Sequence, residues 1–403
     1  MRLLNFQAAF AACRRPLPAL VFCVATMSTA TAAGFQPTGD MVVPRSAHTA
    51  TLMADGRVLI AGGVKPSFLR GGGPVVQAFT AEAEIYDPAT GEFTATASMT
   101  VPRVDHAAAA LADGRVLVVG GYGNDQTQSN GELYDPLSGT FTPIESELTI
   151  GGERTSATVL DDGRVLVIGG FNMGPRDTAQ IFDPATDTFT ATGALNIGRF
   201  VHTATRLLDG RVLVVGGLGG NEVRDDAEIY DPATGTFELL PATMSVSRER
   251  HAASLLQDGR VLIAGGYTVG EQLDTAELFD PATATFQPAA GTMAVFRVDY
   301  RLRTLGDGQV LVIGSQRYDL TESTAELFSP TTNTFSSIVP GPATERGSLD
   351  ATVLQDGRVL LSGGSDLLNP KGGMVPYGEL YVPDAADVVF ADGFENAART
   401  KRD

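Results

Sequence analysis

One motif, written seven times, constrains this chain of 403 residues more than any other feature. In residues 103–121 it reads RVDHAAAALADGRVLVVGG: an arginine, variable positions, a run of small residues, an Asp-Gly pair, an apolar run and two glycines. The Asp-Gly pair stands at Asp55, Asp113, Asp162, Asp209, Asp258, Asp307 and Asp356, with spacings of 58, 49, 47, 49, 49 and 49 residues. Self-similarity at a fixed period of this length belongs to architectures whose repeats are single supersecondary units, each burying its apolar faces against its neighbours.

Each repeat reads as four strands, a to d. A strand of small residues runs into Asp-Gly, a hairpin signal for which two left-handed residues are expected. The next strand, RVLIAGG or a variant, ends in glycines that leave room for a neighbouring backbone. Six repeats keep the doublet, and the sixth in order has Gly314-Ser315. After a loop come AEIYDPATGEF (83–93), GELYDPLSGTF (131–141), AQIFDPATDTF (179–189), AEIYDPATGTF (227–237), AELFDPATATF (276–286) and AELFSPTTNTF (325–335). In these, proline sets φ at a turn and glycine permits the left-handed region. With 46 Gly, 22 Pro and no amphipathic helix of useful length, the expected fold is all-β: a seven-bladed β-propeller of four-stranded antiparallel blades.

The glycine doublet and the YDP turn resemble the kelch family across nearly all of residues 34–384. The departure is aromatic. Kelch blades usually carry Trp in the fourth strand, this chain has none, and Phe93, Phe141, Phe189, Phe237, Phe286 and Phe335 occupy that place. Ring closure is read from the count. The seventh repeat (349–382) lacks a clear fourth strand, whereas residues 34–41 look like an orphan one, Phe35 preceding Arg45 by ten residues as Phe93 precedes Arg103. The N-terminal strand is expected to complete the last blade and hide both sheet edges. VVFADGF (388–394) is the rival.

Residues 1–33 are a different text: Arg2, Arg14 and Arg15, then LPALVFCVATMSTA, then small residues up to Ala33. This reads as a secretory signal peptide, too short in its apolar core to span a bilayer, so the protein is expected to be exported to a periplasmic or extracellular location. Both cysteines, Cys13 and Cys23, lie inside it, and the remainder would have no disulfide and no thiol ligand. Removing it leaves 26 Lys and Arg against 47 Asp and Glu, a net charge of −21, which disfavours nucleic acid and anionic membranes. No membrane span is expected in the mature chain, and the expected state is a monomer. The domains are thus residues 1–33, the propeller 34–384 and a C-terminal tail, 385–403, in which a sorting role, disorder or an edge strand all remain open.

In such a ring the a–b and c–d turns share one face, and the variable b–c loops share the other with the d–a junctions. Loops on a rigid scaffold carry binding, so a protein or glycan ligand is expected there. Ten positions before Asp-Gly stand Arg45, Arg103, Arg199, Arg248, Arg297 and Arg346; the third repeat has Gly152, with Arg154 two residues later. These seven arginines are the candidate ligand contacts, suited to carboxylates. The other reading of the same column is structural pairing with Glu84, Glu132, Glu228, Glu277, Glu326 and Glu379, with Gln180 in the third repeat.

His48, His106, His202 and His251 follow the arginine column by three residues and read as packing or loop hydrogen bonds, not as a metal site. No cofactor is expected. The sixth repeat has Tyr300, Arg301, Leu302 and Arg303 where others are small, which makes it a candidate for asymmetric function. The principal reading is a binding module and not an enzyme. Its alternative is a kelch-propeller carbohydrate-active enzyme such as a sugar-acid epimerase, for which Asp105 and Asp299 are the only repeated acids near the mouth. The copper chemistry of galactose oxidase, which in that resemblance needs a cysteine cross-linked to tyrosine, has no cysteine to use outside residues 1–33.

Overall fold

The computed structural model describes residues 33–68, 75–124, 126–146, 148, 152–314, 324–366 and 373–384. The chain divides at Thr31/Ala32, and every residue of the first unit lies outside the described ones. The second unit is a β-propeller of seven four-stranded antiparallel sheets. Blade 4 shows the plan: strand a Thr203–Arg206, b Val212–Val215, c Ala227–Asp231, d Thr236–Leu239, each hydrogen-bonded to the next. Strand a is innermost. In blade 7 the order is Asp350–Val353, Val359–Ser362, Tyr377–Val382 and then Gly34–Asp40, so the N-terminal strand supplies strand d and closes the ring. The rival segment 388–394 lies outside the described residues.

Strand b explains the apolar runs. All four residues of Val58–Ala61 are buried, Val58 and Ile60 packing toward blade 7 and Leu59 and Ala61 toward blade 2. The same division yields seven hydrophobic cores, one between each pair of adjacent blades. Each blade therefore depends on both neighbours, and burial of apolar surface is what closes the ring. The fourth-strand phenylalanine stacks on the aromatic residue of strand c, as in Tyr86–Phe93 at 4.8 Å between ring centroids, and the closing strand completes the set with Phe35–Tyr381 at 5.2 Å.

The Asp-Gly turn differs from expectation. Gly56 is left-handed (φ 86°), but Asp55 is not. The amide of Gly56 bonds to the Met53 carbonyl and that of Met53 to the Arg57 carbonyl, which makes a three-residue loop ending in a glycine bulge. The aspartate instead accepts the Arg57 amide through its side chain. Among the described residues no helix is long and apolar enough to cross a membrane.

Candidate functional site

The d–a junctions and b–c loops meet around the axis on one face. Six of the seven candidate arginines do not open onto it. Arg45, Arg103, Arg199, Arg248, Arg297 and Arg346 are at most 2% exposed. Their Nη2 atoms lie 2.8–3.1 Å from Glu84, Glu132, Glu228, Glu277, Glu326 and Glu379. Each Nη1 donates to the carbonyl of the first glycine of the doublet, for instance Gly120 at 2.9 Å from Arg103. The glutamate also accepts the backbone amide three residues before its arginine, from Val42 through Ala343, at 2.7–2.9 Å. Arginine and glutamate thus clamp the end of strand b, the start of strand c and the junction into strand a. Burial pulls the Arg103 pKa down while Glu132 opposes it, the signature of a desolvated pair.

Blade 3 lacks the clamp in a telling way. Gly152 replaces the arginine and Gln180 the glutamate, so neither charge is buried alone. Arg154 is not a displaced copy of the column: it sits at the axial mouth, a quarter exposed.

The histidines are structural linkers. His106 Nε2 is 2.9 Å from Thr49 Oγ1, His202 pairs with Ser156, His251 with Thr203, and His48 with Ser362, each on the preceding blade. Burial drives all four to a pKa of about 3, so they are neutral at physiological pH. Where the column holds Thr155, Tyr300 or Leu349, the residue matching Thr49 on the preceding blade is Ala107, Ala252 or Arg301, none of them a hydroxyl. The next blade also explains the first glycine of the doublet: a Cβ on Gly62 would lie 2.6 Å from the Arg103 carbonyl oxygen and 2.7 Å from the His106 ring, and one on Gly216 2.5 Å from the Arg248 carbonyl oxygen and 2.8 Å from the His251 ring. Thr203→Ala is expected to cost about 1–3 kcal/mol by leaving His251 Nε2 without its partner, measured by denaturant unfolding; an unchanged midpoint would refute the link.

The mouth itself is a ring that the sequence did not announce. Ala47, Asp105, Arg154, Val201, Arg250, Asp299 and Ser348, one per blade, all have φ of 50–58°. The residue before each of six of them pairs with the start of the b–c loop, as Glu153 does with Phe171, and the chain must then turn sharply into strand a. The amides of Ala47, Arg154, Arg250 and Asp299 bond to the ring residue of the preceding blade. A left-handed conformation in residues bearing side chains costs about 1–3 kcal/mol each where the side chain is bulky, and such positions cluster at functional sites.

These side chains form a charged lattice. Arg154 lies 3.1 Å from Asp105 and 3.8 Å across the axis from Asp299, which also holds Arg250 at 2.8 Å. Burial raises the pKa of the flanking Glu153, with Asp105 adding to it and Arg154 and Arg250 opposing; Glu249 is raised by burial against the same arginines. The ring opens on a cavity of about 280 Å³ lined also by Arg301 and Asp350. Among the described residues no group of three or more His, Cys, Asp or Glu is placed to hold a metal.

The opposite face is monotonous. Arg57, Arg115, Arg164, Arg211, Arg260 and Arg358 each pair with the aspartate two residues earlier. A groove of about 310 Å³ between blades 7 and 1 lies on that face, and its charges are two of these local pairs and Asp87.

The kelch motif matches residues 103–146, 154–193 and 199–244, which are blades 2 to 4. No curated protein matches the sequence. Among solved structures the fold is similar to a fungal alcohol oxidase of the AA5 family in complex with copper, at 19% identity and a TM-score of 0.68, over 89% of this chain and 79% of that one. At that identity the likeness speaks for the fold alone.

Proposed function

We propose that this chain, a kelch-repeat β-propeller by its matched motifs and its seven closed blades, is a binding module that recognises a protein or carbohydrate ligand at the face carrying the b–c loops. The observation that carries this reading is the contrast between faces. One holds the axial cavity, ringed by seven different positions in a costly backbone conformation, and the other repeats a self-neutralised turn. A scaffold that needed only a closed ring would meet the left-handed positions with glycine, which it uses freely elsewhere. The leader-like residues 1–33 support an extracytoplasmic location.

The test is a glycan and peptide array probed with the mature protein at low and high salt, then with Arg154→Ala and Arg250→Ala. A hit lost in either variant, with the fold retained and melting lowered by no more than about 4 °C, is expected. A ligand bound equally by both variants would overturn the mouth as its site.

A further inference from the structure

The channel wall below the mouth is uneven. Strand a begins with Thr49, Ala107, Ser156, Thr203 and Ala252 in blades 1 to 5, and two residues on stand Thr51, Ala109, Thr158, Thr205 and Ser254. Blade 6 replaces this small, neutral lining with Arg301 and Arg303, and blade 7 offers one carboxylate, Asp350. Arg301 Nε and Arg303 Nη2 reach the same oxygen, Asp350 Oδ1, at 3.0 and 3.1 Å. Asp350 also accepts the amides of Ala50 and Ala351. Two guanidiniums therefore share one anion, a surplus of one positive charge on the wall of a channel in a strongly acidic protein.

Arg303 is fully engaged, donating also to the carbonyls of Ala351 and Leu302. Arg301 gives Nη1 to the Tyr300 carbonyl, and its Nη2 has no hydrogen-bond partner among the described residues, although the side chain lines the cavity. The neighbouring imidazole, His48, is neutral, and Glu153 and Glu249 lie with Arg154 and Arg250 on blades 3 and 5. Above this wall the ring carries its two smallest side chains, Ala47 and Ser348, side by side on blades 1 and 7, while the ion pairs cross the axis from blades 2, 3, 5 and 6. The mouth is thus bridged on one side and open on the other, over Arg301.

We infer that Arg301 is the seat of a carboxylate on a ligand of monosaccharide size, a sugar acid, entering along the axis past the small side chains of Ala47 and Ser348. A volume of about 280 Å³ equals roughly nine waters. That is room for one sugar ring, and a guanidinium edge suits a planar carboxylate. This assignment rests on reading the mouth as the binding site.

The test is calorimetric titration of the mature protein with glucuronate, glucose and inorganic phosphate. Glucuronate is expected to bind, more weakly as salt is raised, and glucose not to bind. Arg301→Thr, the residue that blades 1 and 4 carry there, leaves Asp350 paired with Arg303 and is expected to weaken glucuronate about tenfold to a hundredfold. Ala47→Phe, which leaves Arg301 in place but fills the opening, is expected to do the same, and Arg57→Ala on the opposite face to do nothing. Glucuronate binding unmoved by Arg301→Thr and Ala47→Phe, binding of glucose to the same degree, or tighter binding of phosphate would each overturn the assignment. An array ligand lost in Arg154→Ala yet indifferent to Arg301→Thr would overturn the seat while leaving the mouth standing.

Discussion

Lowering the pH from 7 to 5 is expected to remove about 8 kcal/mol of folding stability, about 2 kcal/mol for each of the four buried histidines. The sign follows from where the protons go. The folded imidazoles have a pKa of about 3, depressed first by burial and then, for His106, His202 and His251, by the arginine three residues earlier. The unfolded chain takes up protons from about pH 6.5 downward. Stability is therefore whole above that value and is lost progressively as the pH falls toward the folded value. Glu84, Glu153 and Glu249, whose pKa values are raised in the fold, act in the opposite sense: as the pH falls they take up protons in the folded state before the unfolded one and offset part of the histidine loss. Total stabilities run at about 5–15 kcal/mol, so the ring is expected to open in mild acid with uptake of about four protons. Urea unfolding followed across pH 5–7 measures both quantities. The double substitution Thr49→Ala with His106→Thr, which copies the Ala107 and Thr155 arrangement, is expected to lower the uptake by one. Stability flat across that range would refute neutral, buried histidines.

The second large effect belongs to the clamp. Arg103→Ala is expected to cost about 3–5 kcal/mol, because it strands the fully buried Glu132 without its counter-charge. Both side chains of that pair are fully buried, and among the described residues no second carboxylate contacts Arg103. Adding Glu132→Gln is expected to restore much of the loss, since blade 3 lives with Gly152 and Gln180. Arg250→Ala, on a partly exposed pair at the mouth, is expected to cost about 1 kcal/mol or less. Equal losses at positions 103 and 250 in chemical unfolding would remove the distinction between clamp and mouth.

The architecture was legible in the sequence to the level of its closing strand, because the Asp-Gly turn was written seven times, the doublet and the c–d turn six times each, and Phe35 kept the spacing of the other phenylalanines. What escaped was the role of each column. Arginine ten residues before Asp-Gly fits a ligand contact as well as a buried clamp, and only depth along the blade separates them. Yet the chain carries its own double substitutions. Arg with Glu becomes Gly with Gln once, and His106, His202 and His251 track a hydroxyl at the matching position one repeat earlier. Tyr86, Tyr134 and Tyr230 bond to Thr38, Thr96 and Thr192, while Phe182, Phe279 and Phe328 face Ile144, Leu240 and Ala289 at the matching positions. Comparing repeats by pairs of columns would have found these couplings. The mouth ring had no such signal. A left-handed position is usually flagged by glycine, and here seven residues of five types, none of them glycine, hide it.

Arginine reactivity in the native protein tests the division of labour most directly. Treatment with an arginine-specific dicarbonyl, followed by peptide mapping, reports which guanidiniums meet solvent. Modification of Arg154, Arg250 and Arg301, with Arg45, Arg103, Arg199, Arg248, Arg297 and Arg346 protected until the chain is unfolded, is the predicted result. Native-state modification of the column with the mouth arginines protected would contradict it.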